Sequence, residues 1–317
     1  MTQTYLVTGG MGCIGAWTLY HLVRQGKRAV CFDLSDERHR LDLLLSRAEQ
    51  EQITFVRGDL TDTAQVRTVF EMHEVSRVIH LGALQVPFCK ANPPVGAQVN
   101  VTGTVNIFEA ARHTGVNQVA FASSIAVYGP PDLYPPGPLA ADAPVAPRTL
   151  YGVYKVANEQ TAQVYWNDYG IGSTALRPFT VYGLGRDQGL TSEPTKAMQA
   201  AARGEDYHIS FGGRMHFHYA SDVAQQFIAA VESTAPGAHA FNLGGPIVAV
   251  ADVAALIMAA RPGVRVTCTD VVLPFPAGCD DSLLHRHAAV VYATPLAAGI
   301  RTTIEAFARL DNEQPDG

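Results

Sequence analysis

The stretch "TLYGVYKVANE", Thr149 to Glu159, places a tyrosine and a lysine four residues apart. At 3.6 residues per helical turn, Tyr151 and Lys155 share one face, while Tyr154 between them points elsewhere. A tyrosine with a pKa of about 10 is a poor base at neutral pH, but a nearby ammonium favours the phenolate and lowers that value. Tyr151 can then take the proton of a hydroxyl while hydride leaves the same carbon, and Lys155 can also hold a neighbouring ribose. The stretch "FASSIAVYG" adds Ser124 at the end of an apolar run, a hydroxyl donor for the reacting oxygen. Alone, such a pair is also what an ordinary surface helix carries; its company in the chain decides.

Hydride needs an acceptor, and "YLVTGGMGCIGAWTLYHL" reads as strand, glycine turn and helix in that order. Two overlapping spacings fit, Gly9, Gly12 and Gly15 or Gly10, Gly12 and Gly15. Both meet the needs of a tight turn, a bare backbone at a pyrophosphate and close strand-to-helix packing, with the phosphates at the helix N-terminus. Asp33 ends the next apolar run, where a carboxylate binds ribose hydroxyls and repels a 2′-phosphate, which favours NAD over NADP. Asp59, after "TFVRG", adds a polar group where adenine would sit. Cys13 lies in the turn as a small space-filler.

These residues need a scaffold, and the chain alternates short apolar runs with helical-period segments from residue 4 onward. That alternation predicts α/β architecture, a Rossmann-type doubly wound parallel sheet. Ligands bind beyond the carboxyl ends of such strands, where Gly9 to Gly15, Asp33, Asp59, Gly82 and Ser124 all fall. The expected division is an NAD-binding domain over 1–179, with 219–236 packing back on it. Residues 180–218 and 237–317 are expected to form a smaller, interleaved substrate lobe. The seven prolines between Pro130 and Pro147 exclude helix and central strand, so an ordered loop beside the crevice is expected. The tail "DNEQPDG" reads as disordered.

Composition narrows the partners. A chain of 317 residues with 47% apolar and 16% charged content can bury a large core. Its net charge of -6 offers no broad attraction to nucleic acid or acidic membrane, which leaves a small-molecule substrate. Five scattered cysteines, without a CxxC pair, indicate neither zinc nor a disulfide frame and suit a reducing cytoplasm. No basic-then-apolar leader opens the sequence, and no apolar run reaches the roughly 18 residues of a membrane span. His208, His216 and His218 are closely spaced, but without carboxylates at ligand spacing no metal is expected.

With these residues in hand, the chain resembles the extended short-chain dehydrogenases/reductases, the group of NAD-dependent sugar epimerases, dehydratases and dehydrogenases. The resemblance spans "TGGMGCIG", "GDL" at 58–60, "HLGA" at 80–83, "NVTGTVNIFEAAR", "SSIAVYG", the tyrosine-lysine pair, "LRPFTVYG", "SDVAQ" and "FNLGG". It implies Tyr151 as general acid/base, Lys155 as its electrostatic partner, Ser124 as donor to the substrate oxygen, and Asn100 as an organiser of the site. Asn100 alone would be read as a helix cap. The resemblance further sets Ile14, Leu60, Leu81, Ala83 and Pro178 against the cofactor, Gln85, Thr180 and Met215 against substrate, and implies a homodimer; Arg186 in "GLGRDQGLT" is either the other cation near an anionic substrate or a solvated loop charge.

Departures narrow the reaction. Dehydratases of the group carry an Asp-Glu pair where this chain has Ile125 and Ala126, which disfavours elimination. Many sugar-nucleotide epimerases carry an Arg-Asp pair where this chain has Met215 and His216, with Arg214 one place early. A missing phosphate clamp implies a small polyhydroxylated substrate: a sugar, sugar acid or polyol. The expected activity is NAD-dependent hydride transfer at a secondary hydroxyl of such a molecule, with UDP-glucose/galactose-type epimerisation as the alternative.

Overall fold

The computed structural model describes residues 3–287 and 293–313. Seven parallel strands form the central sheet: β1 (Thr4–Thr8), β2 (Arg28–Asp33), β3 (Ile53–Arg57), β4 (Arg77–His80), β5 (Gln118–Ala122), β6 (Gly172–Arg177) and β10 (Ala238–Asn242). Their order is β10-β6-β5-β4-β1-β2-β3, so the winding reverses between β1 and β4. Loops leaving those two strands part there and open a crevice at their carboxyl ends.

Two-sided burial explains why these runs lack polar alternation. Tyr5 and Val7 of β1 pack into one core with Leu19, Cys31, Ile79 and Phe227. Leu6, between them, joins Val30, Phe70, Phe108 and Phe121 in the other. Helices α1 (Cys13–Arg24) and α6 (Ala220–Glu232) cover the first face, and α6 lies against β4, β5 and β6. Helices α2 (Thr63–Met72), α3 (Gly103–Thr114) and α4 (Leu150–Tyr169) pack in sequence on the other side.

The remaining elements are a three-stranded sheet of β7 (Thr180–Tyr182), β9 (Arg214–Tyr219) and β11 (Ile247–Ala249), and a parallel pair, β8 (Tyr207–Ile209) with β12 (Val266–Cys268). Helices α5 (Glu193–Ala202), α7 (Val250–Ala260) and α8 (Leu296–Glu313) surround them. Met198, Ile209, Val253 and Phe307 belong to the same core as β1, so no seam separates these elements from the large sheet. The expected boundary at 237 is corrected here: Ala238–Asn242 pairs with β6 as the sheet's edge strand. Its five residues extend the large sheet because their register to Ser173–Arg177 satisfies the β6 backbone.

The proline-rich loop is tied down by polar contacts. Tyr128 Oη donates to the carbonyls of Ala140 and Ala141, and Leu139 N donates to Gly278 O. It lines neither of the two cavities described below, contrary to the expected place beside the crevice. In the tail, Asp311–Glu313 continue α8, and residues 314–317 lie outside those described.

Candidate active site

Tyr151 meets Ser124 because a helix start is pressed onto a turn. The Thr149 side chain caps α4 by accepting from Gly152 N at 3.0 Å. Any Cβ on Gly152 would run into the Ala126 carbonyl oxygen, so this glycine lets α4 seat against the turn Ile125–Val127. Ser124 is the N-cap of that turn, and its backbone neighbours are fixed by Ser123 N on Leu176 O and Ile125 N on Pro178 O. The outcome is that Ser124 and Tyr151 face one cavity, with Ser124 Oγ accepting from Ala126 N at 3.2 Å and its hydroxyl acting to lower the phenol.

Burial pushes the Tyr151 phenol up to about 12, against the lowering pull of Ser124 and then of Arg186. Burial also brings the Lys155 ammonium down to about 8. Lys155 Nζ donates to Ala122 O at 2.6 Å and lies 5.4 Å from the centre of the Tyr151 ring. The expectation that Lys155 depresses the tyrosine is therefore corrected for the protein alone: the ammonium is turned to a carbonyl, and the cation acting on the phenol is Arg186. Tyr154 points away, its hydroxyl on Pro93 O at 3.0 Å.

Asn100 is buried in a π-helical turn, Gln98–Thr102, and is not a cap. Its Oδ1 accepts from Leu84 N at 2.7 Å, and its Nδ2 donates to Leu84 O at 2.9 Å and to Cys89 Sγ at 3.2 Å. It clamps the loop after β4 by both backbone polar groups of one residue, and so acts on the site through Leu84 rather than by touching it.

A cleft of about 830 Å³ opens at the reversal point. It is lined by Gly9, Gly12, Cys13, Ile14, Gly15, Asp33, Asp59, Leu60, Leu81, Gly82 and Ala83, from the loops after β1, β2, β3 and β4; Ser124, after β5, was expected with them and lines the inner cavity instead. The two glycine spacings are distinguished here. Gly9 has φ +67° and faces the cleft, whereas Gly10 is packed onto Cys31 and Leu19. A Cβ on Gly15 would strike the Gly9 carbonyl; one on Gly12 would meet only Gly9 O at 3.2 Å and fill the cleft itself. Helix α1 begins at Gly12 without a side-chain cap or an acidic first turn, so its amides remain for a pyrophosphate. Asp33 accepts from Met11 N and Ser35 N, both at 3.0 Å, which fixes its carboxylate at the far end of the cleft. The residues present therefore fit a dinucleotide. Cys13 has its thiol pushed up to about 11 by burial, as a filler should.

The cleft runs into a smaller cavity of about 170 Å³ that holds Ser124, Tyr151, Lys155, Pro178, Gln85 and Arg186. Ile14, Leu81, Ala83 and Ala122 border both spaces, so a cofactor in one reaches the hydroxyls in the other. Thr180 and Met215 are placed otherwise. Successive strand residues face opposite ways, and Phe179 and Val181 take the cavity side. Thr180 is fully buried with its hydroxyl on Met215 Sδ at 3.0 Å, and both line neither space. Arg214 is exposed and donates to Ile247 O, also away from the site.

His216 accepts from Cys279 N through Nε2, and His218 accepts from Phe179 N through Nδ1; the rings stack 5.8 Å apart inside the lobe. His208 pairs with Thr267 at the surface. Sequence reasoning missed Leu190, Thr191 and Phe275 on the cavity wall and Arg40 at the cleft, whose side chain binds Met11 O, Gly185 O and Asp187. Leu190, Thr191 and Phe275 sit on irregular loops and Arg40 in a four-residue helix, His39–Asp42, all too short for a periodic signal; the glycines at 183, 185 and 189 hint at a specialised turn around Leu190 and Thr191.

A doubly wound sheet whose reversal-point cleft opens onto a serine, a tyrosine and a buried lysine defines an enzyme that works with a dinucleotide. The chain belongs to the NAD dependent epimerase/dehydratase family, which it matches over residues 5–244, and NAD is its cofactor. It is 32% identical to the UDP-glucose 4-epimerase of Erwinia amylovora over 76% of this chain and 78% of that protein. It is 30% identical to the UDP-glucuronate 4-epimerase of Thermodesulfobacterium geofontis (strain OPF15), over 76% of this chain and 75% of that one. Among solved structures, UDP-glucose 4-epimerase from Brucella ovis in complex with NAD is similar with a TM-score of 0.81 at 26% identity. That match covers 97% of this chain and 99% of the other.

Proposed function

We propose that the protein transfers hydride between NAD and a secondary hydroxyl carbon of a small polyhydroxylated substrate, a sugar, sugar acid or polyol. The observation that carries this reading is the meeting of Ser124, Tyr151 and Lys155 on the wall of an inner cavity that shares Ile14, Leu81, Ala83 and Ala122 with the dinucleotide cleft. NAD, when bound, supplies the hydride acceptor and a positively charged ring beside the tyrosine. Ser124 donates to the substrate oxygen, and Tyr151 takes the hydroxyl proton, its phenolate favoured by that nearby positive charge. Lys155 holds the ribose edge of the site, and Asn100 keeps the Leu84 loop in place as a positioning residue. The smaller sheets, the loop between β7 and α5, and the chain after Asn242 serve as the substrate lobe, since Arg186 and Thr191 reach the cavity from that loop and Phe275 from the later chain.

A second reading, sugar-nucleotide epimerisation, is favoured by the names of the relatives. It shares the first step and returns the hydride to the opposite face. The absence of a diphosphate clamp among the described residues supports the first: Met215 lines neither cavity, and Arg214 is exposed with its guanidinium on Ile247 O. The test follows NADH with sugars, sugar acids, polyols and UDP-sugars. Net NADH in step with product supports dehydrogenation; turnover of a UDP-sugar without it supports epimerisation. Tyr151→Phe should abolish both while leaving NAD binding in place, and unchanged turnover would remove the mechanism.

The protein also pairs with a second copy of itself in this proposal. Leu150, Val153 and Val164 on α4 are exposed, and Phe88 and Val95 are exposed on the short helices beside it. Light scattering that gives the mass of one chain would exclude this. No helix among the described residues is long and apolar enough to cross a membrane. All five cysteines are free, which supports assignment to the cytoplasm, to be checked by fractionation.

A further inference from the structure

We infer that Arg186 binds a carboxylate of the substrate, so that this site takes short polyhydroxylated acids in preference to neutral sugars, polyols or sugar diphosphates. The inference rests on the hydride-transfer reading above and narrows its substrate. It starts from charge. Among the described residues the inner cavity has two cations on its wall, Lys155 and Arg186, and no carboxylate. Lys155 is committed to the Ala122 carbonyl beneath the tyrosine ring. The guanidinium of Arg186, which like Gln85 borders the cofactor cleft as well as the inner cavity, is left as the cation facing substrate.

Its bonding is incomplete in a way that a structural arginine's is not. Arg177, buried behind the site, spends its guanidinium on Glu159, Tyr128 and Ala141. Arg186 makes one side-chain bond, to Thr191 Oγ1 at 3.3 Å, and its Nε is buried without a partner. The Gln85 amide oxygen is likewise buried and unpartnered. Both side chains close on Gly189, at φ +103°, where a Cβ would collide with Gln85 and come within 3.0 Å of Arg186 Nη2. The guanidinium and the Thr191 hydroxyl thus form one donor set, with the Gln85 amide oxygen beside it free to accept from a substrate hydroxyl. That set matches the two oxygens of a carboxylate.

Neighbouring groups keep the guanidinium from being neutralised within the protein. Asp187, next in sequence, is drawn outward by Arg40 at 2.7 Å and His39 at 3.1 Å. Leu190 and Phe275 complete an apolar wall that leaves room for a short skeleton. A carboxylate at Arg186 then extends its hydroxyl-bearing carbons toward Ser124 and Tyr151.

The test compares kcat/KM for NADH formation from gluconate and erythronate with glucitol and erythritol, in the wild type and in Arg186→Met. The acids should be preferred on the order of 10- to 100-fold, the worth of a charge-assisted hydrogen bond. Arg186→Met should erase that preference through KM, and Arg186→Lys should restore part of it. A binding arm uses gluconate on the NADH complex: it should raise the melting temperature of the wild type and not of Arg186→Met. Equal use of acids and neutral polyols, or no protection by any acid, overturns the inference and leaves hydride transfer standing. A tenfold loss of NADH affinity in Arg186→Met would assign the guanidinium to the cofactor, and UDP protection that vanishes in that variant would assign it to a diphosphate. Either overturns the carboxylate. UDP-glucose epimerisation without net NADH, with no acid or polyol oxidised, fails both readings together.

Discussion

Replacing Ser124 with alanine tests whether the tyrosine is tuned as the geometry implies. In the protein alone burial holds the Tyr151 phenol near 12, and Ser124 is the first of the groups that lower it, ahead of Arg186, by offering a hydrogen bond to the phenolate. At pH 7 that leaves on the order of one phenol in 10⁵ ionised. A hydrogen bond to a charged group contributes about 1.5–3 kcal/mol, and one pKa unit corresponds to about 1.4 kcal/mol. Losing it should raise the Tyr151 pKa by roughly one to two units. Hydroxyl oxidation needs the phenolate, so kcat/KM climbs with pH toward that pKa. In Ser124→Ala the whole limb should move one to two units alkaline, and at a fixed pH on the limb the rate should fall about 10- to 100-fold. Ketone reduction needs the protonated phenol, so its neutral-pH rate should not show this displacement. The assay is initial NADH formation across pH for wild type, Ser124→Ala and Ser124→Thr, which keeps a hydroxyl, with Tyr151→Phe as the blank. Equal loss at every pH, with the limb unmoved, would show that Ser124 does not act on the phenol and refute the argument.

Two further outcomes concern stability. Lys155 is buried with its pKa near 8, below the ordinary lysine value, so folding is opposed by the charged form. That cost, about 3 kcal/mol, is complete below pH 8 and fades as pH rises through 8 toward 10.5, where the unfolded chain still binds the proton that the folded one has shed. Lys155→Met should be inactive yet more stable than wild type in urea at pH 7, by up to about 3 kcal/mol less the lost bond to Ala122, with the gain shrinking by pH 10; equal stability at both pH values would contradict this. Glu159 and Arg177 form a bidentate pair, both contacts 2.7 Å, with side chains 6% and 5% exposed. Glu159→Ala strands the guanidinium and the Ser123 hydroxyl, and should cost about 3–5 kcal/mol in the urea midpoint analysis. A cost below about 1 kcal/mol would mean that water or Ala141 compensates.

The sequence by itself determined the parallel sheet, the glycine turn, the acidic residue after β2 and the tyrosine-lysine helix. Each of these is local. A buried parallel strand needs an unbroken apolar run, a left-handed turn needs glycine, and two residues on one helix turn share a face whatever surrounds them. Gly10 against Gly9 was undecided because the spacing fits both, and only the packing of Gly10 on Cys31 separates them. Thr180 was misjudged because the facing of a strand residue depends on which side the cavity lies, and no periodicity reports that. Asn100 looked like a cap until the chain folded its amide onto Leu84. The electrostatics were least legible of all. Whether Lys155 or Arg186 acts on the tyrosine depends on which partner the Lys155 ammonium turns to, on how the loop after β7 brings Arg186 to the site, and on how deeply each charge is removed from water. Charge and hydrogen bonding depend on position in space, which only the tertiary packing of the loops after β4, β5 and β7 supplies.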